Sequence, residues 1–81
     1  MGNHLILEFT NVEVDLNDIE LLDKNIREIL SHTSVQVETN TFKRFESSGV
    51  IMLYILSDSH FAIHTWSEQK ACAVDFYSCG K

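Results

Sequence analysis

Proline is missing from this sequence, and no linker, repeat or low-complexity stretch interrupts its 81 residues. A chain of this length can bury one hydrophobic core and is too short for two. These absences exclude a two-domain organisation, and we expect residues 1–81 to form a single domain. Because a core this small contributes little stability, self-association is also expected.

Basic residues are scarce, with six Lys and Arg against twelve Asp and Glu and a formal net charge of -6. Nucleic-acid binding needs a basic stripe, and the sequence offers only the pair Lys43-Arg44. The longest apolar run, Val50–Leu56, is far shorter than the roughly 20 residues that cross a bilayer. No signal peptide is recognisable at Met1. We therefore predict a cytoplasmic protein with no nucleic-acid or membrane partner.

Cysteine is equally rare, since only Cys72 and Cys79 are present. Their offset of seven places them on opposite faces of one strand, so a disulfide between them is not expected. Neither a second cysteine pair nor CxxC spacing supports a zinc site. We expect no bound metal.

Hydrophobic periodicity predicts one helix and five strands. Apolar residues recur at helical spacing through about residue 31, after Asn17-Asp18-Ile19-Glu20, which has the form of a capping box. Residues 35–45 alternate as in a half-exposed strand, whereas Val50–Leu56 is apolar on both faces and predicts a central strand covered on both sides. The break between them is Glu46-Ser47-Ser48-Gly49, and the remaining strands are expected at His4–Phe9, 60–66 and 71–79.

The predicted fold class is α+β, a two-layer sandwich of a mainly antiparallel sheet with one amphipathic helix on one face. Polar residues 67–70 join the last two strands and predict a hairpin. Its pairing sets Trp66 opposite Ala71 and Asp58 opposite Cys79, so the thiol lies beside the Asp58-Ser59 peptide bond. One face of the hairpin is apolar, and the other carries His60, Ala62, His64, Trp66, Ala73, Asp75, Tyr77 and Cys79.

Four reactive groups fall on or beside that second face: the Ser59 hydroxyl, the His64 imidazole, the Cys79 thiol and the Asp75 carboxylate. Each alone is an ordinary strand residue, but together they suit covalent or acid–base chemistry. A serine hydrolase would set Ser59 on a glycine-flanked turn, and a cysteine protease would set its thiol at a helix N-terminus. Neither pattern is present. A His-Asp-Cys metal site stays open on distance grounds, without separate support from the spacing.

Three motifs carry a family resemblance: Asp58-Ser59-His60, then Ile63-His64-Thr65-Trp66 with Glu68, and finally Cys79-Gly80. They resemble the core of the small bacterial and archaeal type of S-adenosylmethionine decarboxylase. The intervals from Ser59 to His64 and from His64 to Cys79 both match that family. Further matches cover nearly the whole chain, at His4-Leu5, Glu8-Phe9, the helix, Thr41-Phe42, Arg44-Phe45 and Gly49-Val50.

The resemblance implies a pyruvoyl-dependent decarboxylase of polyamine biosynthesis that first cuts its own chain between Asp58 and Ser59. Ser59 would become the pyruvoyl cofactor, His64 would assist the processing, and Cys79 would act in processing and later protonate the substrate carbon. Glu68 would hydrogen-bond the ribose hydroxyls of S-adenosylmethionine. The family also implies a homodimer with active sites near the subunit interface.

The sequence departs from the family pattern in four respects, of which Asp58, Ile51 and the short C-terminus support an alternative and Ser67 is a milder change. Asp58 stands in place of glutamate, Ile51 in place of an active-site serine and Ser67 in place of proline. Family members also continue past the Cys-Gly motif into a further helix and strand, whereas this sequence ends at Lys81. The alternative is an unprocessed, inactive relative that acts as a binding or regulatory subunit. A third hypothesis is a small-molecule or metal-binding domain unrelated to decarboxylation. If the chain is a decarboxylase, its substrate could also be an amino acid related to S-adenosylmethionine.

Overall fold

The structure, a computed structural model, describes residues 2–46 and 48–79. One helix packs on a five-stranded antiparallel sheet of order β1-β5-β4-β3-β2. The predicted α+β class with a single helix on one face is confirmed. Ser47 of the predicted break and Gly80 of the Cys-Gly motif lie outside the described residues. The elements are β1 (Asn3–Phe9), α1 (Ile19–Ser31), β2 (Val37–Arg44), β3 (Val50–Leu56), β4 (His60–Trp66), a short 3-10 turn (Ser67–Gln69) and β5 (Ala71–Ser78).

Helix α1 begins one residue later than the capping-box pattern predicts. Its N-cap is Asp18, whose carboxylate accepts a hydrogen bond from the Leu21 amide at 3.0 Å. The Asn17 side chain instead accepts from the Gly49 amide at 2.8 Å and from the Ser67 hydroxyl at 2.7 Å. Asparagine and aspartate both cap helices well. Here the Asn17 side chain is engaged in tertiary hydrogen bonds, so Asp18 caps the helix.

The core lies between α1 and the middle of the sheet. Leu22, Ile26 and Leu30 recur at a spacing of four, so they form one stripe on the helix, and all three are buried. They pack against the helix-facing side chains of β3, which are fully buried: Val50, Met52, Tyr54 and Leu56. The predicted amphipathic helix therefore covers the strand that the sequence marks as most apolar.

The opposite face of the sheet has no helix over it among the described residues. Strand β3 was expected to be covered on both faces, but Ile51 and Leu53 are only half-buried and Ile55 is 40% exposed. One helix can shield only one side of a sheet, so this face stays open in the single chain. We call it the histidine face, and its members include His4, Ile6, Ile51, Leu53, Ile55, His60, Ala62, His64, Trp66, Asp75 and Tyr77.

Strands β4 and β5 form the predicted hairpin with the predicted register. Trp66 pairs with Ala71, His64 with Ala73, and the pairing continues to His60 with Tyr77. The 3-10 turn closes the loop with Lys70 in the left-handed conformation at φ 53°. Four polar residues thus suffice to reverse the chain, and both hairpin faces are fixed as the sequence alternation indicates.

Strand β1 pairs with β5 and is exposed along its length. On the helix side, Leu5 and Leu7 are 50% and 40% exposed, because α1 does not extend over this edge of the sheet. This leaves an apolar groove of about 250 Å³, which is bordered by Leu5, Leu7, Ile29, Leu30, Thr33, Phe61, Val74 and Phe76. In residues 2–46 and 48–79, no helix combines the length and apolarity needed to cross a membrane.

Candidate functional site

Asp58, Ser59 and Cys79 meet where the β3–β4 connection passes the end of β5. The Cys79 thiol donates to the Asp58 carbonyl oxygen at 2.8 Å. The Cys79 amide donates to Ser59 Oγ at 3.3 Å, and this hydroxyl donates to Asp58 Oδ1 at 3.2 Å. The predicted placement of Cys79 beside the Asp58-Ser59 bond is therefore observed.

The backbone holds this arrangement in place. The Leu56 amide donates to the Ser59 carbonyl at 2.9 Å, which closes the tight connection between β3 and β4. Ser59 is only 8% exposed, although Asp58 beside it is exposed to solvent. A buried hydroxyl next to a solvated carboxylate is unusual in a strand connection, because serine is mostly found at the surface.

The hydrogen bonds bring together a hydroxyl, a thiol and a carboxylate, which are the groups that attack of the Ser59 hydroxyl on the Asp58 carbonyl carbon would need. A hydrogen bond from the Cys79 thiol to the carbonyl oxygen would stabilise negative charge developing there during attack. The Asp58 carboxylate is within reach of the hydroxyl proton. The three residues thus place a hydroxyl, a thiol donor and a carboxylate around one peptide bond.

His64 and Glu68 lie at the other end of β4. The His64 ring stacks on Trp66 with centroids 4.1 Å apart, and Phe45 lies 5.6 Å away. Glu68 belongs to the 3-10 turn and borders a cleft of about 100 Å³. Typical small-molecule sites are roughly 300–1,000 Å³, so this cleft alone is too small to enclose a nucleoside.

The sequence placed Ser59, His64, Cys79 and Asp75 on or beside one face, and the structure separates them along it. His60 and His64 are four residues apart in an extended strand, which corresponds to about 13 Å. Within the described chain, His64 makes no hydrogen bond to Ser59 or Cys79. One end of the histidine face therefore carries the serine and thiol, and the other end carries His64, Trp66 and Glu68.

A further cluster joins three neighbouring strands. His4 Nε2 lies 2.5 Å and His60 Nε2 lies 3.5 Å from the same oxygen, Oδ1 of Asp75. The hydrogen bond from His4 lowers the pKa of the Asp75 carboxyl, and the charge of His4 and the nearby His60 act in the same direction. The sequence pattern did not group His4 with Asp75. The only available signal, alternation in β1, does not show which strand β1 pairs with.

Ile51 shares the end of the histidine face that carries His64. The two residues are cross-strand partners, and the Ile51 side chain is half-buried. An aliphatic side chain offers neither a donor nor an acceptor to a ligand here. The sequence departure at Ile51 therefore removes a polar group from beside His64 and leaves the Ser59 end unchanged.

The fold defines the class of protein. The crystal structure of the adenosylmethionine decarboxylase from Aquifex aeolicus VF5 matches with a TM-score of 0.87, over 99% of this chain and 67% of that chain, at 23% identity. The chain therefore has the adenosylmethionine decarboxylase fold. The S-adenosylmethionine decarboxylase family model matches residues 3–81, and this chain belongs to that family.

Two similar relatives are named S-adenosylmethionine decarboxylase proenzyme. The protein from Thermotoga petrophila is 32% identical over 100% of this chain and 63% of its own length. The protein from Thermosipho melanesiensis is 37% identical over 99% of this chain and 62% of its own length. This chain thus spans less than two thirds of these relatives.

Proposed function

We propose that this chain is a self-processing, pyruvoyl-dependent decarboxylase acting on S-adenosylmethionine or a closely related amino acid. The observation that carries the proposal is the 2.8 Å hydrogen bond from the Cys79 thiol to the Asp58 carbonyl, beside the buried Ser59 hydroxyl. Family membership supports the substrate class. The word proenzyme in the names of relatives supports processing before activity.

Self-cleavage would begin with attack of Ser59 Oγ on the Asp58 carbonyl carbon. The C–N bond breaks, the Ser59 nitrogen takes a proton to become a free amine, and an ester joins Asp58 to Ser59. Loss of the Ser59 α-proton then breaks the Cβ–Oγ bond and releases Asp58 as a carboxylate. Hydrolysis of the remaining enamine, with loss of ammonia, leaves a ketone at the start of residues 59–81.

The residues around Ser59 fit such a group. The hydroxyl that must be consumed is buried, and it already accepts a hydrogen bond from the Cys79 amide. When formed, a pyruvoyl group supplies an electrophilic ketone that accepts the electrons released as carbon dioxide leaves. Cys79 then stands beside that position as the donor of a proton to the substrate carbon.

We propose that a second copy of the chain completes the site. Ser59 and His64 lie at opposite ends of one open face, which includes the partly exposed apolar side chains of Ile6, Leu53 and Ile55. A two-fold axis that lies in the plane of this face, perpendicular to its strands, would bring the Ser59 end of one copy to the His64 end of the other. Glu68 would then reach the ribose hydroxyls of a substrate bound between the copies.

Intact-mass spectrometry of the purified chain tests the processing. We expect the 9.3 kDa chain to be replaced on incubation by two fragments, residues 1–58 and 59–81, the second carrying the mass of a pyruvoyl terminus. Ser59→Ala removes the nucleophile and should leave the chain uncut. Cys79→Ala should slow the cut, because the carbonyl loses its donor. A wild-type chain that stays whole would refute the proposal.

Complementation between an uncut and a slowly cut variant tests the shared site. Ser59→Ala cannot be cut, and His64→Ala should be cut slowly. When the two are co-expressed, a mixed dimer pairs an intact Ser59 on one copy with an intact His64 on the other. We expect the His64→Ala chain to be cut faster in the mixture than alone. An unchanged rate would show that His64 does not act across the interface.

A second candidate function is a binding or regulatory subunit that is never cut. It is favoured by Ile51, which offers no polar group beside His64. In that case the wild-type chain stays whole while still binding S-adenosylmethionine, and the mass measurement separates the two functions.

A further inference from the structure

We propose that His4, His60 and Asp75 form a binding site for a divalent transition metal such as zinc or cobalt. One ligand atom from each side chain lies within 4.8 Å of the other two. Two imidazoles and one carboxylate are the donor set that suits zinc, cobalt and nickel, whereas magnesium and calcium prefer oxygen ligands alone.

The three ligands stand on a rigid framework. Asp75 lies on β5, and its side chain is flanked by His4 from β1 on one side and His60 from β4 on the other. Both histidines are cross-strand partners of Tyr77, two residues further along β5. The backbone ladders of three paired strands therefore fix the ligand positions, which favours a defined metal geometry.

Tyr77 orients the two imidazole rings. The His60 ring stacks on it with centroids 5.9 Å apart and 16° between the planes. The His4 ring meets it edge-on, also at 5.9 Å, with 70° between the planes. Held in this way, both Nε2 atoms point at Asp75 Oδ1.

Small side-chain movements would open the site for an ion. Zinc binds nitrogen and oxygen ligands at about 2.0–2.2 Å, so neighbouring ligand atoms of a tetrahedral site lie about 3.4 Å apart. His60 Nε2 is already 3.5 Å from Asp75 Oδ1. His4 Nε2, at 2.5 Å, must withdraw by about 1 Å, and its side chain is 47% exposed in the single chain. Water would complete the coordination.

The site differs from the Ser59 site in residues and in chemistry. None of its ligands is Asp58, Ser59 or Cys79, although His60 follows Ser59 directly. It also differs from the His-Asp-Cys combination left open by the sequence, because His64 and Cys79 are at opposite ends of the face. The proposal therefore stands whether or not the chain cuts itself.

Titration of the untagged, metal-free chain with cobalt(II) tests the proposal. We expect one cobalt ion to bind per chain, with visible absorption bands that zinc abolishes by competition. His60→Asn and Asp75→Asn should each weaken binding at least about tenfold, since even outer-shell partners of metal ligands have effects of that size. The matched control is His32→Asn, because His32 is exposed at the C-terminus of α1, and it should bind as the wild type does.

A second measurement guards against variants that do not fold. In the folded wild-type chain, cobalt(II) should broaden the ring signals of His4 and His60 in the NMR spectrum and leave those of His32 sharp. Failure to bind cobalt, or equal binding by His60→Asn and the wild type, would overturn the proposal. So would a thiolate–cobalt absorption band that disappears in Cys79→Ser, because it would place the ion at the cysteine.

Discussion

At the residue scale, Thr65 shows how one buried hydroxyl joins separate parts of the chain. It is 1% exposed, accepts a hydrogen bond from the Val50 amide at 2.8 Å and donates to the Leu16 carbonyl at 3.0 Å. The hydroxyl thus ties β3 and β4 to the segment that leads into α1. Water cannot take the place of this hydroxyl as a partner of the Leu16 carbonyl and the Val50 amide, because Leu16 and Val50 are also buried.

Replacing Thr65 by valine keeps the shape and removes the hydroxyl. We expect the free energy of unfolding to fall by about 1–3 kcal/mol, because a buried amide and a buried carbonyl lose their partner. Urea denaturation measures this. Thr41→Val, at an exposed position of β2, is the control and should change stability by less than about 0.5 kcal/mol. Equal effects would mean that the hydroxyl is not structurally important.

Tyr54 couples stability to alkaline pH. Its ring is fully buried and its hydroxyl donates to Asp23 at 2.6 Å, so burial first and this hydrogen bond second raise the pKa of the phenol. Arg27 binds the same carboxylate and lies 5.6 Å from the ring centroid. The folded chain therefore holds the Tyr54 proton at a pH where the unfolded chain releases it.

The contribution of the Tyr54 hydroxyl to the free energy of unfolding is fully present below the pKa of about 10 that tyrosine has in the unfolded chain. It is lost as the pH rises above that value. We expect Tyr54→Phe to be less stable than wild type by about 1 kcal/mol at neutral pH, from the lost hydrogen bond. The difference should shrink above pH 10, because phenylalanine has no proton to lose. Denaturant curves from about pH 8 to 11 measure it, and a constant difference would contradict this account.

The local site could be anticipated in part from residue order. Strict alternation and a four-residue loop fixed the hairpin register, so Cys79 beside the Asp58-Ser59 bond followed directly. His4 could not be placed in the same way, because its position beside Asp75 depends on β1 pairing with the last strand rather than with a neighbour in sequence. Long-range pairing of an edge strand leaves no local signal.

At the element scale, the approach to β3 depends on Gly49. This residue has a φ of 95°, and a Cβ built on it would lie 2.3 Å from the Thr65 carbonyl oxygen. Its carbonyl accepts from the Phe45 amide at 3.0 Å, which closes the connection between β2 and β3. Backbone conformation and the close approach of β4 therefore both require glycine here.

We expect Gly49→Ala to lower the free energy of unfolding by at least about 2 kcal/mol, from the strained φ and the clash together. Gly49→Asn separates the two causes. Asparagine tolerates positive φ better than alanine, but its Cβ meets the same carbonyl. Thermal unfolding of both variants should therefore show similar losses, and full recovery in the asparagine variant would show that the clash is unimportant.

Removing the N-cap of α1 should lower the free energy of unfolding by less than the Gly49 substitutions do, and through a single hydrogen bond. Asp18→Ala removes the side chain that caps the Leu21 amide, and we expect a loss of about 1 kcal/mol. Asp15→Ala is a suitable control, because within residues 2–46 and 48–79 its carboxylate accepts only from the Asn17 amide, outside the helix. Chemical denaturation followed by circular dichroism measures both. If Asp18→Ala and Asp15→Ala lost the same free energy of unfolding, the Asp18 side chain would not be the N-cap.

The choice between Asn17 and Asp18 as the cap was beyond sequence reasoning. Adjacent residues of equal capping ability differ only in what else they contact, and Asn17 is held by Gly49 and Ser67 from distant segments. The helix itself was predictable, because its apolar stripe repeats through three turns.

At the scale of the whole molecule, one layer of helix leaves half of the sheet surface open. If a second copy covers the histidine face, a charge at its centre should prevent association. We expect Leu53→Glu to be monomeric by analytical ultracentrifugation and to cut itself as slowly as His64→Ala does, while the wild type is a dimer. Val14→Glu is the control, an exposed apolar residue before α1 that should leave the dimer intact. A wild-type monomer would contradict the two-copy site.

The order of the strands in the sheet determines whether the two fragments of a cut chain stay together. Strands β4 and β5 follow the Asp58-Ser59 bond, yet β5 is paired with β1 and β4 with β3, both from the preceding segment. The C-terminal hairpin is thus inserted between two strands of the other fragment and is bonded to it along both edges. Breaking the peptide bond is a nick in an interlocked sheet, and residues 1–58 and 59–81 should stay together as a two-chain protein that separates only when the sheet unfolds.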